Sequence, residues 1–419
     1  MNNSKKYLYI GVITLLLVIG VSLAYFGITI IGNNTAKGNK VVTGNLELTY
    51  TDTNEISLEN AFPGDSFEKT ISVKNTGTKE VSYNLVWTEL TNEITNDELV
   101  IEATCKRLNS NGTEDGTCDS ISQTPIKSNL IKKNISIELN ITHEYTIKVT
   151  FIDTDKSQDY NKNESFIGKL GIEEYELPTS VSFAEDSWET IAELVSAGET
   201  GNYNVGDTKI VDMGDYGTHT VRVANMSTPS ECLIEGFSQT ACGFVVEFAD
   251  IITTHNMNSP KGTSYPIGTN KGGWPGSEMY NFINDEIYSI LPSDLKNIII
   301  DTKTISGYAY EDKENFTSTD KLYLLAPKEI YTDWTDYSNS QYDKAKDLTR
   351  TLDYYQKIGI TTSNYNSIIK SNGSSTLNWW LRTAYSSINS GFWYVKSNGD
   401  IAYSGGAGTN GVSPAFRIG

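Results

Sequence analysis

NWWLRTAYSSINSGFWYVKSNGDIAYSGGAGTNGVSPAFRIG forms the last stretch of the chain, residues 378–419. Two apolar runs, at 379–381 and 392–395, are separated by Ser, Asn and Gly. Asn398-Gly399 is a strong signal for a two-residue hairpin, because Asn-Gly readily takes the positive φ angles that such a turn requires. The stretch therefore predicts a rigid sheet whose loops carry aromatic and small polar side chains, which suits a recognition surface better than a reaction centre.

The two ends of this stretch carry residues that are expected to pack into the core of their domain and close it. Trp379 and Leu381 alternate so that both face inward, and the segment at 411–418 alternates in the same way. Arg382 and Arg417 are flanked by apolar residues, which predicts hydrogen bonds to backbone or carboxylate groups inside the fold. We assign a structural role to the motif residues Trp379, Trp380, Leu381, Arg382, Pro414, Phe416 and Arg417.

The polar and aromatic connection between these motifs supplies the candidate ligand surface. Tyr and Trp give a large contact area at little entropic cost, while Ser, Gly and Asn add adaptable hydrogen bonding. Because side chains alternate along a strand, either Phe392 with Tyr394 or Trp393 with Val395 must face inward, so only part of the set can meet a ligand. The ligand-binding candidates are Tyr385, Asn389, Phe392, Trp393, Tyr394, Tyr403 and Asn410.

Chain length, net charge and histidine spacing limit the classes of protein to which this chain can belong. A chain of 419 residues is long enough for two or three domains, each with its own core. The formal charge of −19 repels phosphate backbones, which argues against a nucleic-acid partner. The histidines, His143, His219 and His255, are far apart in sequence and show no zinc-type spacing, whereas carboxylate-only metal sites stay open.

The cysteines form two local pairs. Cys105 and Cys118 flank a polar, turn-rich segment, and Cys232 and Cys242 flank another short segment. Such pairs predict two disulfides, each closing a short loop, in an oxidising compartment. The alternative is four buried free thiols, which the export signal described next makes the weaker interpretation.

The N-terminal residues indicate export. Lys5 and Lys6 precede an uncharged, mostly apolar run at 7–32, which is longer than the core of a signal peptide. We therefore expect a transmembrane helix at 7–32, a cytoplasmic tail at 1–6 and an exported remainder, which makes a single-pass membrane protein with its N-terminus inside. Removal of this segment as a signal peptide, which would give a secreted protein, is the alternative.

Hydrophobicity alternates with period two after a linker at 33–39. Six or seven short strands over the domain at 40–176 predict an all-β, immunoglobulin-like sandwich. Clusters of Asn, Gly, Asp, Thr and Pro separate the predicted strands. These strands lie at 41–50, 67–74, 81–88, 135–139, 143–151 and 166–175.

One polar loop in this domain has the spacing of a calcium site. Oxygen-bearing side chains occupy the liganding offsets of an EF-hand loop across 153–164. However, Gln158 stands where the sharp turn requires Gly, and the flanks predict strands rather than helices. We therefore expect a solvated hairpin loop and no cofactor, with calcium as a weakly supported alternative.

A second domain, of the α+β class, is expected at 182–419 after a linker at 177–181. Its first helix is preceded by Asp186 and Ser187, either of which can cap its N-terminus, and Gly198 can end it. The apolar residues of this helix recur at helical spacing, which predicts one buried face.

Further elements of the second domain are less regular. A second helix is expected within 274–292, with Ser277 as its cap, and a buried strand within 320–330. The region at 331–376 is rich in Tyr, Asp and Asn, and we expect a surface insertion with one helical patch at 342–351.

The first domain resembles a known family in one segment. Residues 61–83 read AFPGDSFEKTISVKNTGTKEVSY, with a P-G-D turn and an N-T-G-T turn between strands. This resembles the TasA/camelysin family of exported bacterial matrix proteins. The resemblance implies a cell-surface sandwich able to assemble into fibres, although the Cys105/Cys118 loop departs from that family.

The second domain carries an ordered set of motifs, and the pair W-W-L-R at 379–382 and G-V-S-P-A-F-R at 411–417 is the most specific of them. These residues resemble a large bacterial family of surface domains of the C-type-lectin-like kind, similar in fold to formylglycine-generating (sulfatase-modifying) enzymes. Ser413 stands where other members have Arg before Pro. The resemblance implies a fold but assigns no activity.

Catalysis is not expected from these residues. Formylglycine-generating chemistry needs a closely placed cysteine pair near the C-terminal sheet, and the last cysteine here is Cys242. A G-x-S-x-G nucleophile elbow is absent from the sequence.

The sequence therefore predicts a bacterial cell-surface protein anchored in the membrane. Its sandwich would serve as a stalk, and its lectin-like domain would bind a glycan or a surface protein in adhesion or recognition. The alternative is a structural subunit of a biofilm matrix or fibre that self-assembles through the sandwich, by donating a strand to the edge of another sheet.

Overall fold

The computed structural model describes residues 29–31, 40–43, 46–52, 57–58, 61–259 and 269–419, with side chains for the last two ranges. Most of the predicted transmembrane segment at 7–32 lies outside these residues. Its end, Thr29–Ile31, forms a strand, so the predicted helix does not extend to residue 32. Among the described residues, no helix is long and apolar enough to cross a membrane.

The chain divides into two compact units, Met1–Glu176 and Leu177–Gly419. The described part of the first unit is built from strands, apart from one turn of 3₁₀ helix at Asp159–Asn161. Its strands are β1 (Thr29–Ile31), β2 (Lys40–Thr43), β3 (Leu46–Asp52), β4 (Ser57–Leu58), β5 (Ser66–Asn75), β6 (Val81–Asn92), β7 (Leu99–Leu108), β8 (Glu114–Thr117), β9 (Ile121–Pro125), β10 (Leu130–Ile137), β11 (Thr142–Phe151) and β12 (Ser165–Glu174).

These strands form two sheets that pack face to face. One sheet has the order β10-β6-β12-β1-β4, and the other has the order β2-β3-β5-β11-β7-β8, with β9 also paired to β7. The inward side chains of both sheets share one apolar core. Tyr83 of β6 and Tyr145 of β11 join the sheets directly, because their hydroxyl oxygens lie 3.0 Å apart.

The predicted strands of this unit are present, but the prediction differs at 41–50 and lacks five described strands, β1, β4, β7, β8 and β9. The segment predicted at 41–50 is a hairpin of β2 and β3 rather than one strand. Strand β7 was not predicted. It begins with the consecutive buried residues Leu99, Val100 and Ile101, which break the alternation that marks a strand with one exposed face.

The second unit contains helices as well as sheets. Its strands are β13 (Thr208–Asp212), β14 (Thr218–Asn225), β15 (Val245–Phe248), β16 (Thr253–Asn256), β17 (Ile299–Ile300), β18 (Thr302–Ser306), β19 (Phe316–Asp320), β20 (Trp379–Ala384), β21 (Gly391–Val395), β22 (Ile401–Gly405), β23 (Thr409–Val412) and β24 (Ala415–Ile418). They form two five-stranded sheets, β13-β14-β15-β24-β17 and β16-β23-β20-β21-β22, and the hairpin β18-β19.

The helices of the second unit are short, and two of its α-helices begin at a serine cap. Its α-helices are α1 (Trp188–Ala197), α2 (Glu278–Asn281), α3 (Tyr288–Ile290), α4 (Ser293–Ile298), α5 (Pro327–Ile330) and α6 (Asp353–Lys357). A π-helix, Phe282–Ile287, joins α2 to α3. Single turns of 3₁₀ helix lie at Gly214–Tyr216, Ser230–Leu233, Trp334–Asp336, Ser338–Tyr342 and Asn366–Ile368.

Both predicted capped helices are present. Ser187 caps α1 by accepting a hydrogen bond from the Thr190 amide, and Gly198 ends the helix in the left-handed conformation. Ser277 caps α2 in the same way, so the helix predicted within 274–292 begins at Glu278.

The prediction for 320–376 is wrong in three respects. The segment 321–326 forms only a single β-bridge, Tyr323 to Ala415, and α5 follows it directly. The helical patch expected at 342–351 is absent, and the described helix in that region is α6. The region is also no surface insertion, because Tyr331, Trp334, Tyr355 and Lys370 are buried in the unit.

Candidate functional site

The ligand-binding candidates predicted from the sequence fall into separate groups. Tyr385, Trp393 and Tyr403 lie in mutual ring contact on the β20-β21-β22 part of the second five-stranded sheet. We call these three residues the tyrosine platform. Trp393 of β21 is directly opposite Tyr403 of β22 in the strand register, which places both on one face of the sheet.

The exposed member of the platform is Tyr403. Its ring is stacked on the ring of Tyr385, with centroids 3.9 Å apart and planes inclined by 6°. Tyr403 is 44% exposed, whereas Tyr385 is only 5% exposed. The ring of Tyr403 therefore faces solvent, and the buried ring of Tyr385 supports it from below. Burial and the neighbouring Tyr403 raise the pKa of Tyr385 to about 12, so the phenol of Tyr385 stays neutral at physiological pH.

Trp393 supports the stack from inside the unit. Its ring meets both tyrosines edge to face, at centroid distances of 5.1 Å and 5.8 Å. Trp334 packs edge to face against Trp393 at 4.9 Å, and the Trp334 indole donates a hydrogen bond of 2.9 Å to Asp343. These contacts fix the ring geometry before any ligand arrives, which lowers the entropy lost on binding.

Residues outside the terminal stretch also build the platform. Tyr342 contacts Tyr385 at 4.9 Å, and Tyr337 stacks on Trp334 at 5.4 Å. Both residues belong to the region 331–376, which was expected to be a surface insertion, so their role at the platform was not predicted. The aromatic run YTDWTDY at 331–337 was the signal that could have found them, because such density of large rings favours burial.

The loop between β20 and β21 is held by one buried side chain. Asn270 donates from its amide nitrogen to the carbonyl oxygens of Tyr385, Ile388 and Gly391, at 3.1, 2.8 and 3.0 Å. Its backbone amide donates to the Asn389 carbonyl at 2.9 Å. This loop therefore has a fixed backbone beside the platform, and it exposes the Asn389 side chain.

The remaining candidates lie elsewhere. Phe392 is fully buried, and its ring packs beside Gly406. Tyr394 contacts Trp380 and pairs with Ala402 of β22. Asn410 lies on β23 opposite His255 of β16, and β20 separates it from the platform strands β21 and β22. The structure therefore brings together only part of the predicted set, and neither Phe392 nor Trp393 offers a ring to solvent.

The sealing motifs lie in the core, and Arg382 is part of a buried ion pair. The Arg382 guanidinium donates to both carboxylate oxygens of Glu329, at 2.6 and 2.5 Å, and to the Leu324 carbonyl at 2.9 Å. Thr240 and Thr349 also donate to this carboxylate. Arg417 donates to the Cys242 carbonyl at 2.8 Å, so this arginine contacts the backbone as expected.

A second buried network surrounds Glu247. Burial disfavours its charged form, but the ammonium of Lys370 and the guanidinium of Arg222 outweigh burial and lower the pKa of Glu247 to about 2. The Lys370 ammonium also donates to the Ser413 hydroxyl at 2.9 Å. The Lys370 ammonium thus links the Ser413 hydroxyl to the Glu247 carboxylate inside the unit.

A separate concavity of about 370 Å³ opens beside α5 and α6. Its lining is polar, with Lys328, Thr332, Thr351 and Gln356 among the contributing side chains. Burial lowers the pKa of Lys328, while nearby aspartates oppose the shift. This concavity could hold a small polar ligand, but its residues differ from those of the tyrosine platform.

Comparisons with known proteins match the part of the chain that contains the platform to a domain family, but they assign no activity to it. Residues 250–419 match the family model of a domain of unknown function, DUF6273. A search of curated proteins finds no match. A solved family 123 glycoside hydrolase from Clostridium perfringens is similar at 14% identity, over 28% of this chain and 22% of that chain, with a TM-score of 0.14. A score this low supports no transfer of fold or activity.

Proposed function

We propose that this chain is an exported cell-surface recognition protein that binds a glycan through the tyrosine platform. The observation that carries the proposal is the ring of Tyr403, which rests flat on Tyr385 and is 44% exposed. The two disulfides, Cys105–Cys118 and Cys232–Cys242, fit an oxidising, extracellular setting.

The chemistry of the platform favours a neutral glycan. The apolar C–H face of a sugar ring can pack on an aromatic ring, and the surrounding hydroxyl and amide groups can pair with sugar hydroxyls. The rings are already ordered by Trp393 and Trp334, so binding costs little conformational entropy. The charge of −19 on the chain disfavours acidic glycans at long range.

The proposal extends to the architecture of the protein. The first unit serves as an immunoglobulin-like stalk related to TasA/camelysin modules, and the second unit as a C-type-lectin-like domain. The apolar residues that precede the strand Thr29–Ile31 anchor the chain in the bacterial membrane. Recovery of the N-terminal peptide from the mature protein by mass spectrometry tests the anchor, and its absence favours the secreted form.

The platform is tested by binding of the full chain to an array of neutral glycans. Replacing Tyr403 by Ala (Tyr403→Ala) removes the exposed ring and is expected to weaken binding by roughly tenfold or more, the scale of an aromatic hot spot. Tyr403→Phe keeps the stack and is expected to retain most of the affinity.

A matched control is Tyr310→Ala, which removes a tyrosine that is 57% exposed but makes no platform contact. This variant should bind as the unchanged protein does. Equal losses in the Tyr310 and Tyr403 variants, or binding to surface proteins but to no glycan, would contradict the assignment of the platform to glycans.

Self-assembly is a second candidate function, and one feature of the sandwich favours it. Strand β10 is the end strand of its sheet in the described part of the chain, and it begins at Leu130, which is 46% exposed. An end strand presents backbone groups that another strand can pair with. Concentration-dependent fibres in electron micrographs of the full chain, without glycan binding, would support this function over recognition.

A further inference from the structure

Three potential metal ligands meet at one point of the sandwich. A sulfur atom from each of Cys105 and Cys118 and a ring nitrogen of His143 lie within 4.8 Å of one another. Cys105 and His143 are buried, and Cys118 is half-buried. The two sulfur atoms are joined as a disulfide in this structure, with Cα atoms 5.0 Å apart.

Strand register explains why these residues meet. Cys105 of β7 lies directly opposite Tyr145 of β11, and His143 precedes Tyr145 by two residues. His143 therefore shares the inward face of the sheet and is a diagonal neighbour of Cys105. Cys118 follows β8 and is brought back to β7 by a hydrogen bond from its amide to the Cys105 carbonyl.

The imidazole ring of His143 is oriented by the hydroxyl of Tyr83. The Nδ1 atom of His143 lies 3.0 Å from the Tyr83 hydroxyl, which in turn lies 3.0 Å from the Tyr145 hydroxyl. A histidine that binds a metal through one ring nitrogen usually has its other nitrogen held by an oxygen, which orients the ring. Because Nδ1 is held by Tyr83, the site proposed below uses the other ring nitrogen, Nε2.

The cluster opens into an acidic cavity. A concavity of about 350 Å³ is lined by Cys118 and His143 and by the carboxylates of Glu80, Asp119 and Glu138. The one guanidinium in the lining, Arg107, is already paired with Asp115 and Glu138. Asp119 in the lining lies 3.5 Å from the Lys132 ammonium, and the lining itself holds three carboxylates and one guanidinium. The cavity thus offers a path for a cation and room for a water molecule as a further ligand.

We propose that reduction of the Cys105–Cys118 disulfide creates a binding site for a thiophilic divalent cation such as Zn²⁺. Two molecules of a thiol reductant supply two electrons and two protons, which break the S–S bond and give two thiols, while the reductant is oxidised to its own disulfide. Metal binding then releases the two thiol protons and forms two metal–sulfur bonds and one bond to His143. The fourth position faces the cavity, as in zinc sites that keep an open ligand position.

The second disulfide gives a control within the same chain. Cys232–Cys242 also closes a short loop, with a sequence separation of 10 residues. Among the described residues, the three-ligand cluster contains only the first pair together with a histidine. The double variant Cys232→Ser/Cys242→Ser therefore retains the proposed site, whereas Cys105→Ser/Cys118→Ser removes both sulfur ligands.

The test is a titration of the reduced full chain with Co²⁺, a spectroscopic substitute for Zn²⁺, after removal of the reductant under anaerobic conditions. One equivalent of Co²⁺ should produce thiolate-to-cobalt charge-transfer and tetrahedral d–d absorption bands in the Cys232→Ser/Cys242→Ser protein. The oxidised protein and the reduced Cys105→Ser/Cys118→Ser protein should show no such bands. Zn²⁺ should displace the cobalt.

Two further variants test the roles of the imidazole and of its hydroxyl partner. Tyr83→Phe should weaken Co²⁺ binding on the order of 10–100-fold, the usual effect of losing a group that orients a ligand, and His143→Gln by at least as much. Circular dichroism follows the sandwich throughout. Bands that persist in Cys105→Ser/Cys118→Ser, no bands in the reduced control protein, or loss of the β-sheet signal despite added Co²⁺ would each overturn the proposal.

Discussion

Individual residues decide which part of an aromatic stretch can contact a ligand. Tyr403 and Trp393 are paired across two strands, yet one is 44% exposed and the other is 1% exposed. The two-residue period of a strand predicts which side chains share a face of the sheet. It cannot predict that a second layer of rings covers Trp393. Trp334 supplies that layer from a distant position in the sequence.

A buried carboxylate beside this layer of rings, Asp343, makes the stability of the protein depend on pH. It accepts hydrogen bonds from the Trp334 indole and the Ala345 amide, and burial raises its pKa to about 6 despite these bonds. The folded protein therefore holds a proton that the unfolded chain has already released between about pH 4 and pH 6. This group contributes stability that is fully present below pH 4 and is lost as the pH rises through 6.

Asp343→Asn removes this titration. Urea unfolding between pH 4 and pH 7 should show a stability loss in the unchanged protein that is smaller in the variant. Asp336→Asn, at an exposed carboxylate, serves as the control and should keep the pH dependence of the unchanged protein. An identical pH dependence in Asp343→Asn would contradict the role given to this carboxylate.

Among the elements, the hairpin of β21 and β22 carries the platform, and its turn differs from the one predicted. The Lys396 amide donates to the Asp400 carbonyl at 2.7 Å, so the turn contains three residues, 397–399. The φ angle is positive at Gly399 (+90°) but not at Asn398. The turn therefore uses only the glycine of Asn-Gly in the left-handed region, as in three-residue hairpin loops.

Gly399→Ala is expected to destabilise the second unit by roughly 1–3 kcal/mol or more, because a positive φ is strained for alanine. In addition, a Cβ at this position would overlap the Tyr365 carbonyl oxygen. Urea unfolding measures the loss.

Gly373→Ala separates the two effects. Gly373 has a φ of +86°, and its Cβ would have nothing within 4 Å. Its replacement should therefore carry only the conformational cost. Equal destabilisation at the two glycines would show that contact with Tyr365 does not constrain the turn.

Across the whole second unit, buried ion pairs connect segments that are far apart in the sequence. Glu329 of α5 pairs with Arg382 of β20, and it also accepts from Thr240 and Thr349. Four separate segments thus meet at one carboxylate. Removing one partner of such a pair leaves a buried charge without compensation, which is more costly than the pair itself is stabilising.

Glu329→Gln should therefore lower the free energy of unfolding by roughly 3–5 kcal/mol. Lys271→Gln breaks the exposed pair with Glu311 and should change stability by only about 0–1 kcal/mol. Denaturant unfolding of both variants provides the measurement. A loss at Glu329 no larger than that at Lys271 would mean that the buried network is not a stabilising junction.

Features that depend on local chemistry could be predicted from the sequence. Alternation predicted most strands of the sandwich, the caps at Ser187 and Ser277 predicted helix starts, and cysteine spacing predicted both disulfides, which are confirmed. Each of these signals lies within a few residues along the chain, so no tertiary information is needed to interpret it.

Which side chains contact each other depends on how distant segments pack in the fold. The polar region at 331–376 enters the core because its aromatic hydroxyls find internal partners, such as the Gly399 carbonyl for Tyr331 and Glu247 for Tyr355. The tyrosine platform and the cluster around His143 likewise depend on strand register and on contacts between distant segments. Composition cannot show such pairing, because the free energy of burying a polar group depends on a partner that the fold alone supplies.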